Sequence, residues 1–155
     1  MSSRFEEAVT EITDKVQYVV RNKFPQLNGC NIEVVMDTKK RKSGGKFTLV
    51  NLQKTSPILR HMSASNANPD GVDYILYLDQ TVYNEMSDTD KERIIAHGLY
   101  HADCDFEKEM PYNVRKPTVQ TFYEEIADND DDARWAERLD LMAEGIYDRE
   151  DEAAQ

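Results

Sequence analysis

The spacing of apolar residues near the N-terminus predicts an amphipathic helix over residues 2–24. Ser2 or Ser3 can cap its start, and Pro25 with Gly29 ends it. Its apolar positions are Phe5, Val9, Ile12, Val16 and Val19 or Val20. These side chains recur at three- and four-residue steps, so they share one helix face that can pack on a core.

Two short apolar runs follow, the first of them β-branched, and together they predict a β-hairpin. The first covers residues 30–36 and the second covers residues 47–50. Between them lies the basic segment 39–46, which contains Gly44 and Gly45. A Gly-rich loop between apolar runs is typical of a hairpin tip. Its charge either blunts edge pairing in solvent or contacts a phosphate or an acidic partner.

The most hydrophobic part of the chain, residues 72–78, predicts a central strand of the sheet. A loop over residues 63–71 precedes it, because Ser, Asn, Pro, Asp and Gly make up most of that stretch. A short helix is expected over residues 79–86. The capping-box pattern that begins at Thr89 then predicts a helix over residues 89–103.

The rest of the chain is polar and largely helical by pattern. A Pro-marked connection spans residues 106–117, and helical patterns cover residues 119–128 and 132–147. An acidic, frayed tail is expected over residues 151–155. No repeat and no second domain is evident. Residues 1–150 are therefore expected to form one α+β domain, with an N-terminal helix, a small sheet and C-terminal helices.

The charge of the chain is unevenly distributed, and its sign limits which classes of molecule the protein is expected to bind. The 155 residues carry 30 acidic and 19 basic side chains, a net charge of −11. Residues 1–60 sum to +5 and residues 61–155 to −16, a balance that disfavours nonspecific nucleic-acid binding. No apolar run approaches the ~18 residues of a membrane span. The acidic N-terminus and the two cysteines do not indicate export, so a cytoplasmic location is expected.

Candidate chemistry concentrates on the predicted helix 89–103. His97 and His101 are four residues apart, so both imidazoles project from one face within reach of a single ion. The third histidine, His61, stands alone in a loop. The pair is therefore a candidate Zn²⁺ site, although a chance pair on a half-buried helix has the same spacing.

The strand, turn and helix around the histidines resemble the putative phage metallopeptidase family, a small zincin-like group. The resemblance runs from about Val72 to Phe122 and rests on the strand 73–78, the Tyr83–Met86 turn and the helix 90–103. In the zincin HExxH motif the two histidines bind Zn²⁺ and the Glu is the general base. The resemblance thus implies a zincin-like fold, a Zn²⁺ cofactor and a peptide or protein substrate.

Gly98 stands where the family motif has its catalytic Glu. Glycine supplies no carboxylate, and in a helix interior it costs roughly 1 kcal/mol relative to Ala. Loss of a general base usually removes ~10²–10⁴-fold of rate. The chain is therefore expected to bind metal and to be catalytically weak or inactive. Natural loss, a laboratory mutation and a non-catalytic lineage all fit Gly98.

A third metal ligand is needed, because two histidines alone hold Zn²⁺ poorly. By resemblance to gluzincins, Glu124 is the first candidate, and Asp128 could orient a histidine through its second nitrogen. The other candidates are Glu125, Cys104, Asp103 and Asp105. The carboxylates are also explained as solvated acids, and Cys104 as a small buried side chain.

Two tyrosines are further candidates for catalysis. Tyr100 and Tyr112 could hydrogen-bond a substrate oxyanion, a role that some zincins give to Tyr or His. The chain has eight tyrosines, so a chance placement near the helix explains them equally well. Of the two, Tyr100 is the candidate site residue.

An acidic block over residues 128–132, together with Glu124, Glu125 and the tail 148–152, forms a dense negative stretch. Spaced carboxylates can imitate a phosphate backbone and occupy a basic groove on a host nucleic-acid-binding protein. Solubility and favourable charge at a helix N-terminus explain the same residues. The alternative function is therefore a non-enzymatic acidic protein that binds and inhibits a basic host factor.

Overall fold

A computed structural model describes residues 4–43, 46–65, 69, 71–107, 111–115, 128–132 and 134–154. It is a mixed α+β fold with small sheets and several helices, as the sequence predicts. The strands are β1 (Phe5–Glu7), β2 (Ile32–Asp37), β3 (Lys42–Ser43), β4 (Lys46–Phe47), β5 (Val50–Lys54), β6 (Tyr74–Asp79), β7 (Ala102–Cys104) and β8 (Tyr112–Val114). The α-helices are α1 (Thr10–Lys23), α2 (Pro57–Met62), α3 (Gln80–Asn84), α4 (Asp88–Tyr100) and α5 (Trp135–Ala154), and 3₁₀ turns cover Pro25–Leu27 and Asp130–Asp132.

The main sheet has four strands in the order β1-β2-β6-β5. Strand β6 pairs in parallel with β2 and antiparallel with β5. Its residues Tyr74, Leu76 and Leu78 are almost completely buried. The predicted central strand is therefore confirmed, and its continuous apolar run is explained by one fully buried and one largely buried face. Helix α3 confirms the short helix expected after it.

The predicted hairpin between residues 30–36 and 47–50 is wrong. Strands β2 and β5 do not pair with each other, because β6 lies between them and takes both as partners. The basic segment instead closes on itself as the small hairpin β3–β4. Lys42 Nζ lies 4.6 Å from the ring centroid of Phe47, and Lys40 Nζ lies 5.8 Å from that of Tyr147. The lysines thus cover aromatic rings that link this hairpin to α5.

The N-terminal helix is shorter than predicted. It begins at Thr10, and Phe5–Glu7 forms the edge strand β1 against β2. Arg4 Nε donates to Asp37 Oδ1 at 3.1 Å and fixes the start of this strand. The spacing of apolar residues did not separate Phe5–Glu7 from the helix, because their extended backbone results from pairing with the distant strand β2.

Helix α4 also has different ends from those predicted. Ser87 caps it by accepting a hydrogen bond from the Asp90 amide, and the helix ends at Tyr100 with His101 as its C-cap. Residues expected in the last helical turn form β7, and part of the expected connection 106–117 forms β8. This small sheet folds back on the end of α4.

A single core joins α1, α4 and α5 to the main sheet. Buried side chains from these helices are Val16, Val19, Val20, Ile94, Ile95, Leu99, Leu139, Ala143 and Ile146. Helix α5 extends past the predicted end at Tyr147 to Ala154. The helix predicted over 119–128 lies outside the described residues except for Asp128. In the described ranges, each helix is either too short or too polar to cross a membrane.

Candidate metal site

His97 and His101 lie side by side on the half-exposed face of α4. Their ring centroids are 5.4 Å apart and their planes are perpendicular. His101 keeps helical backbone angles, φ −70° and ψ −16°, although it follows the last helical residue. Two imidazoles that share a tetrahedral Zn²⁺ at ~2 Å have ring centroids about 5 Å apart. The two side chains therefore have the separation that such an ion requires.

The small sheet β7–β8 holds the ring of His101. The Nδ1 atom of His101 lies 2.9 Å from the main-chain oxygen of Arg115. A carbonyl oxygen only accepts hydrogen bonds, so Nδ1 carries the proton and the lone pair of the neutral ring is on Nε2. Metal-binding histidines are typically oriented through their second nitrogen in this way.

Arg115 also closes the end of α4. Its amide donates to the main-chain oxygen of His101 at 2.6 Å, and its Nε donates to the oxygen of Tyr100 at 2.7 Å. Both acceptors are carbonyls of the last helical turn, which have no partner within the helix. The same residue thus ends the helix and fixes the orientation of His101.

Helix α5 approaches the other histidine. The ring of Trp135, at the start of α5, is buried, and its centroid lies 6.0 Å from that of His97. Trp135 therefore gives one side of His97 an apolar wall.

A buried ion-pair network lies one and two turns before His97 on the same face of α4. Arg93 is only 8% exposed and donates to Asp90, Asn129 and Asp131. Arg138 of α5 donates to both carboxylate oxygens of Asp90 at 2.6 and 2.7 Å. The hydrogen bonds from Arg138, and to a smaller extent that from Arg93, hold the pKa of Asp90 below its ordinary value. The network fixes α5 and the 3₁₀ turn against α4.

The acidic block therefore has an internal role. Asp131 pairs with Arg93 at 2.6 Å, and Asp132 pairs with Arg138 at 2.8 Å. Asn129 is buried beneath them. These contacts favour the interpretation of the block as a structural element that precedes α5.

Gly98 lies where α4 comes closest to the main sheet. A Cβ atom there would lie 2.6 Å from Val50 Cγ2 and 2.9 Å from Leu76 Cδ1. Both distances are shorter than any normal contact between carbon atoms. The packing of α4 against β5 and β6 therefore favours glycine at position 98, because any larger side chain would displace Val50 and Leu76.

The described residues supply no third acidic or thiol ligand. Within them, no group of three or more His, Cys, Asp or Glu side chains could hold a metal ion. Cys104 lies on β7 rather than on the helix, and burial raises the pKa of its thiol. Asp103 and Asp105 likewise follow the end of the helix, and among the described residues neither forms such a group with the two histidines. Glu124 and Glu125 lie outside the described residues.

The two candidate tyrosines are engaged in packing. Tyr100 donates its hydroxyl hydrogen to Asp128, and its ring packs edge-on against Phe24 at 4.7 Å. Lys23 Nζ lies 3.6 Å from the same Asp128 carboxylate. The ring of Tyr112 on β8 packs against that of Tyr74 at 5.8 Å. Tyr100 thus connects α4 to the end of α1, and Asp128 is the partner of Tyr100 and Lys23 in this contact.

Sequence reasoning missed three residues that shape the site: Arg93, Arg115 and Trp135. Arg93 had a usable signal, because it precedes His97 by four residues on the same helix face and is followed directly by the apolar residues 94–96. Trp135 is the only tryptophan and follows the acidic block. No signal in the sequence pointed to Arg115, because its role depends on the pairing of β7 with β8, which the sequence pattern did not show.

The comparisons with known proteins agree with the motif. The family model described as putative phage metallopeptidase matches residues 3–144, nearly the whole chain and far more than the 72–122 stretch that carried the resemblance. Searches of curated proteins and of solved structures gave no match. Membership in this family implies a metallopeptidase-like role and a metal cofactor. The chain belongs to the putative phage metallopeptidase family.

Proposed function

We propose that this protein binds Zn²⁺ through His97 and His101, with Glu124 as third ligand, and that its peptidase activity is weak or absent. The observation that carries the proposal is the geometry of the histidine pair. The rings lie 5.4 Å apart, and the Arg115 carbonyl orients His101. The proposed substrate is a peptide or protein, and the proposed location is the cytoplasm, that of the host if a phage encodes the chain.

The residues present fit a zinc ion in their donor chemistry. Neutral imidazole is a common ligand of Zn²⁺, and the proton on Nδ1 leaves Nε2 of His101 as the donor atom. When bound, Zn²⁺ would supply Lewis-acid chemistry toward a peptide carbonyl. Arg115 would hold His101 in the binding tautomer, and Trp135 would shield one side of His97 from water.

Weak catalysis is proposed because position 98 offers no base. Gly98 has no side chain, and the space beside its Cα is filled by Val50 and Leu76. A carboxylate at this position would displace aliphatic side chains and lose its hydration. The packing thus supports a chain adapted to glycine at this position.

Metal analysis tests the site. The protein is purified without added zinc, dialysed against Zn²⁺ and its metal content measured. We expect about one zinc per chain, lost in His97→Ala and in His101→Ala. The exposed His61, which lies on α2 rather than in the expected loop, provides a matched control, so His61→Ala should keep the metal. Equal zinc content in all four proteins would refute the site.

The third ligand is tested by comparing neighbouring carboxylates. Zinc affinity is measured by competition with a chromophoric chelator for Glu124→Ala and Glu125→Ala. We expect a loss of at least tenfold in the first variant and little change in the second, because only a ligand contributes directly to the coordination shell. The reverse order would assign the ligand to Glu125. If neither variant lost zinc affinity, neither glutamate would be a ligand.

Hydrolysis of a mixture of fluorogenic peptides tests catalysis. We expect the zinc-loaded protein to match His97→Ala, with no rate above that of buffer. Because Val50 blocks position 98, a carboxylate should be introduced as Gly98→Glu together with Val50→Ala. Zinc-dependent peptide hydrolysis by the wild-type protein, lost in His97→Ala, would contradict the proposed loss of catalysis. The same result would still support the proposed metal site.

The alternative function, an acidic protein that inhibits a basic host factor, gains no support from the described residues. Asp131 and Asp132 face Arg93 and Arg138, and the acidic block is used to attach α5.

A further inference from the structure

Trp135 lies between two polar attachments that join α5 and the turn before it to α4. Before Trp135 in the chain, Asp131 accepts a hydrogen bond from Arg93 at 2.6 Å. After it, Arg138 donates to both carboxylate oxygens of Asp90 at 2.6 and 2.7 Å. Arg93 and Asp90 are both buried, and hydrogen bonds away from water are electrostatically stronger. The position of Trp135 against α4 is therefore set from both sides.

The ring of Trp135 in turn packs against His97. The Trp135 side chain is 5% exposed, its ring centroid lies 6.0 Å from that of His97, and the two ring planes are inclined at 69°. An imidazole with an aromatic wall on one side has fewer rotamers available than a solvated imidazole. The wall therefore restricts the orientations of His97 before any metal binds.

The two histidines are thus oriented by different parts of the chain. The main-chain oxygen of Arg115 orients His101, whereas α5 contacts His97. Ligands that are already held in their binding orientation give a tighter site, because fewer side-chain rotamers are lost when the ion binds. Helix α5 can therefore raise metal affinity although Trp135 supplies no ligand atom.

We propose that Trp135 is a positioning residue for His97, and that the Asp90–Arg138 ion pair raises zinc affinity by fixing Trp135. The inference rests on the proposed zinc site and adds that its affinity depends on how α5 is attached. Charge alone predicts the opposite effect of losing Arg138. Removal of this cation leaves Asp90 less neutralised, and both changes favour a bound Zn²⁺. A weaker site without Arg138 would therefore identify positioning and not charge.

Zinc affinity in Arg138→Met and Arg149→Met tests the proposal, by competition with a chromophoric chelator. Each substitution removes one positive charge from α5, but Arg149 pairs with Glu85 near the far end of the helix. Circular dichroism establishes a temperature at which all variants are folded. We expect zinc to bind about fivefold or more weakly in Arg138→Met and with wild-type affinity in Arg149→Met. Equal or tighter binding in Arg138→Met would overturn the proposal.

The fluorescence of Trp135 separates positioning from a general loss of stability. Trp135 is the only tryptophan of the chain, so the emission reports its surroundings alone. We expect zinc to change the emission of wild type and not that of His97→Ala. Without metal, the emission maximum of Arg138→Met should lie at a longer wavelength than that of wild type or Arg149→Met. A loss of zinc affinity in Arg138→Met with unchanged emission would refute the route through Trp135.

Substitution of Trp135 itself completes the test. Trp135→Phe keeps an aromatic wall, so it should bind zinc more tightly than Trp135→Leu. If wild type bound no zinc, the proposed function and this inference would both fail. If zinc were lost in His97→Ala but bound with wild-type affinity by Arg138→Met and Trp135→Leu, only this inference would fail.

Discussion

Two helical glycines should respond in opposite directions to the same substitution. Gly98 of α4 faces Val50 and Leu76, and a Cβ atom there would lie 2.6 and 2.9 Å from their methyl groups. Gly145 of α5 is exposed, and a Cβ atom there would meet nothing within 4 Å. Both positions lie inside helices, so both gain the same helix propensity on replacement by Ala.

The magnitudes follow from two opposing terms. Gly→Ala in a helix interior stabilises by roughly 1 kcal/mol. Overpacking a filled core costs ~1–3 kcal/mol. Gly145→Ala should therefore stabilise by about 1 kcal/mol, while Gly98→Ala should destabilise by about 1 kcal/mol. For a chain of this length the difference of about 2 kcal/mol corresponds to roughly 4–8 °C in melting temperature.

Urea unfolding followed by far-ultraviolet circular dichroism measures both variants. The double variant Val50→Ala/Gly98→Ala removes the nearer methyl group, so the pair should show a coupling energy of about 1 kcal/mol in the favourable direction. If Gly98→Ala stabilises as much as Gly145→Ala, the contact with Val50 does not restrict position 98. The packing argument for the absence of a general base would then be refuted.

Other predictions address the ion-pair network, pH and metal. Arg93→Met should lower the free energy of unfolding in urea by about 3 kcal/mol, because it leaves the buried Asp90 with one partner fewer. Arg134→Met is the control: this side chain is 84% exposed, so its loss should change stability by less than about 0.5 kcal/mol. Equal effects of the two substitutions would contradict the burial argument. Burial raises the folded-state pKa of Asp79 above 3.8, so its contribution to stability is greatest below that pH and is lost as the pH rises through the folded value. Asp79→Asn should therefore gain stability relative to wild type between pH 3.8 and neutrality, and a constant difference would show that Asp79 has an ordinary pKa. Zinc at 100 times its dissociation constant should raise the unfolding free energy by about 2.7 kcal/mol in wild type and His61→Ala but not in His101→Ala, and a rise in His101→Ala would place the metal elsewhere.

The sequence predicted the elements whose signals are local. The apolar run of β6, the amphipathic pattern of α1 and the capping signals before α4 all depend on residues within one or two turns of each other. The pair His97 and His101 belongs to this class, because helical spacing alone puts two side chains on one face. The departure at Gly98 was visible for the same reason.

The wrong predictions depend on contacts between distant segments. The hairpin failed because β6 comes later in the chain and is a better partner for both β2 and β5. The sequence pattern placed Phe5–Glu7 in the helix, because the spacing of apolar residues does not reveal that this segment pairs with β2. The end of α4 was placed late because Arg115, 14 residues after His101, closes it.

The sequence by itself determined that His97 and His101 share one helix face and that position 98 lacks a carboxylate. Helical periodicity and residue identity are enough for both. Only the tertiary structure decided that Arg115 orients His101, that Arg93 and Arg138 use the acidic block internally, and that β5 and β6 fill the space beside Gly98. These features depend on which strands pair and how closely a helix approaches a sheet, and such distances are set by the packing of the whole core.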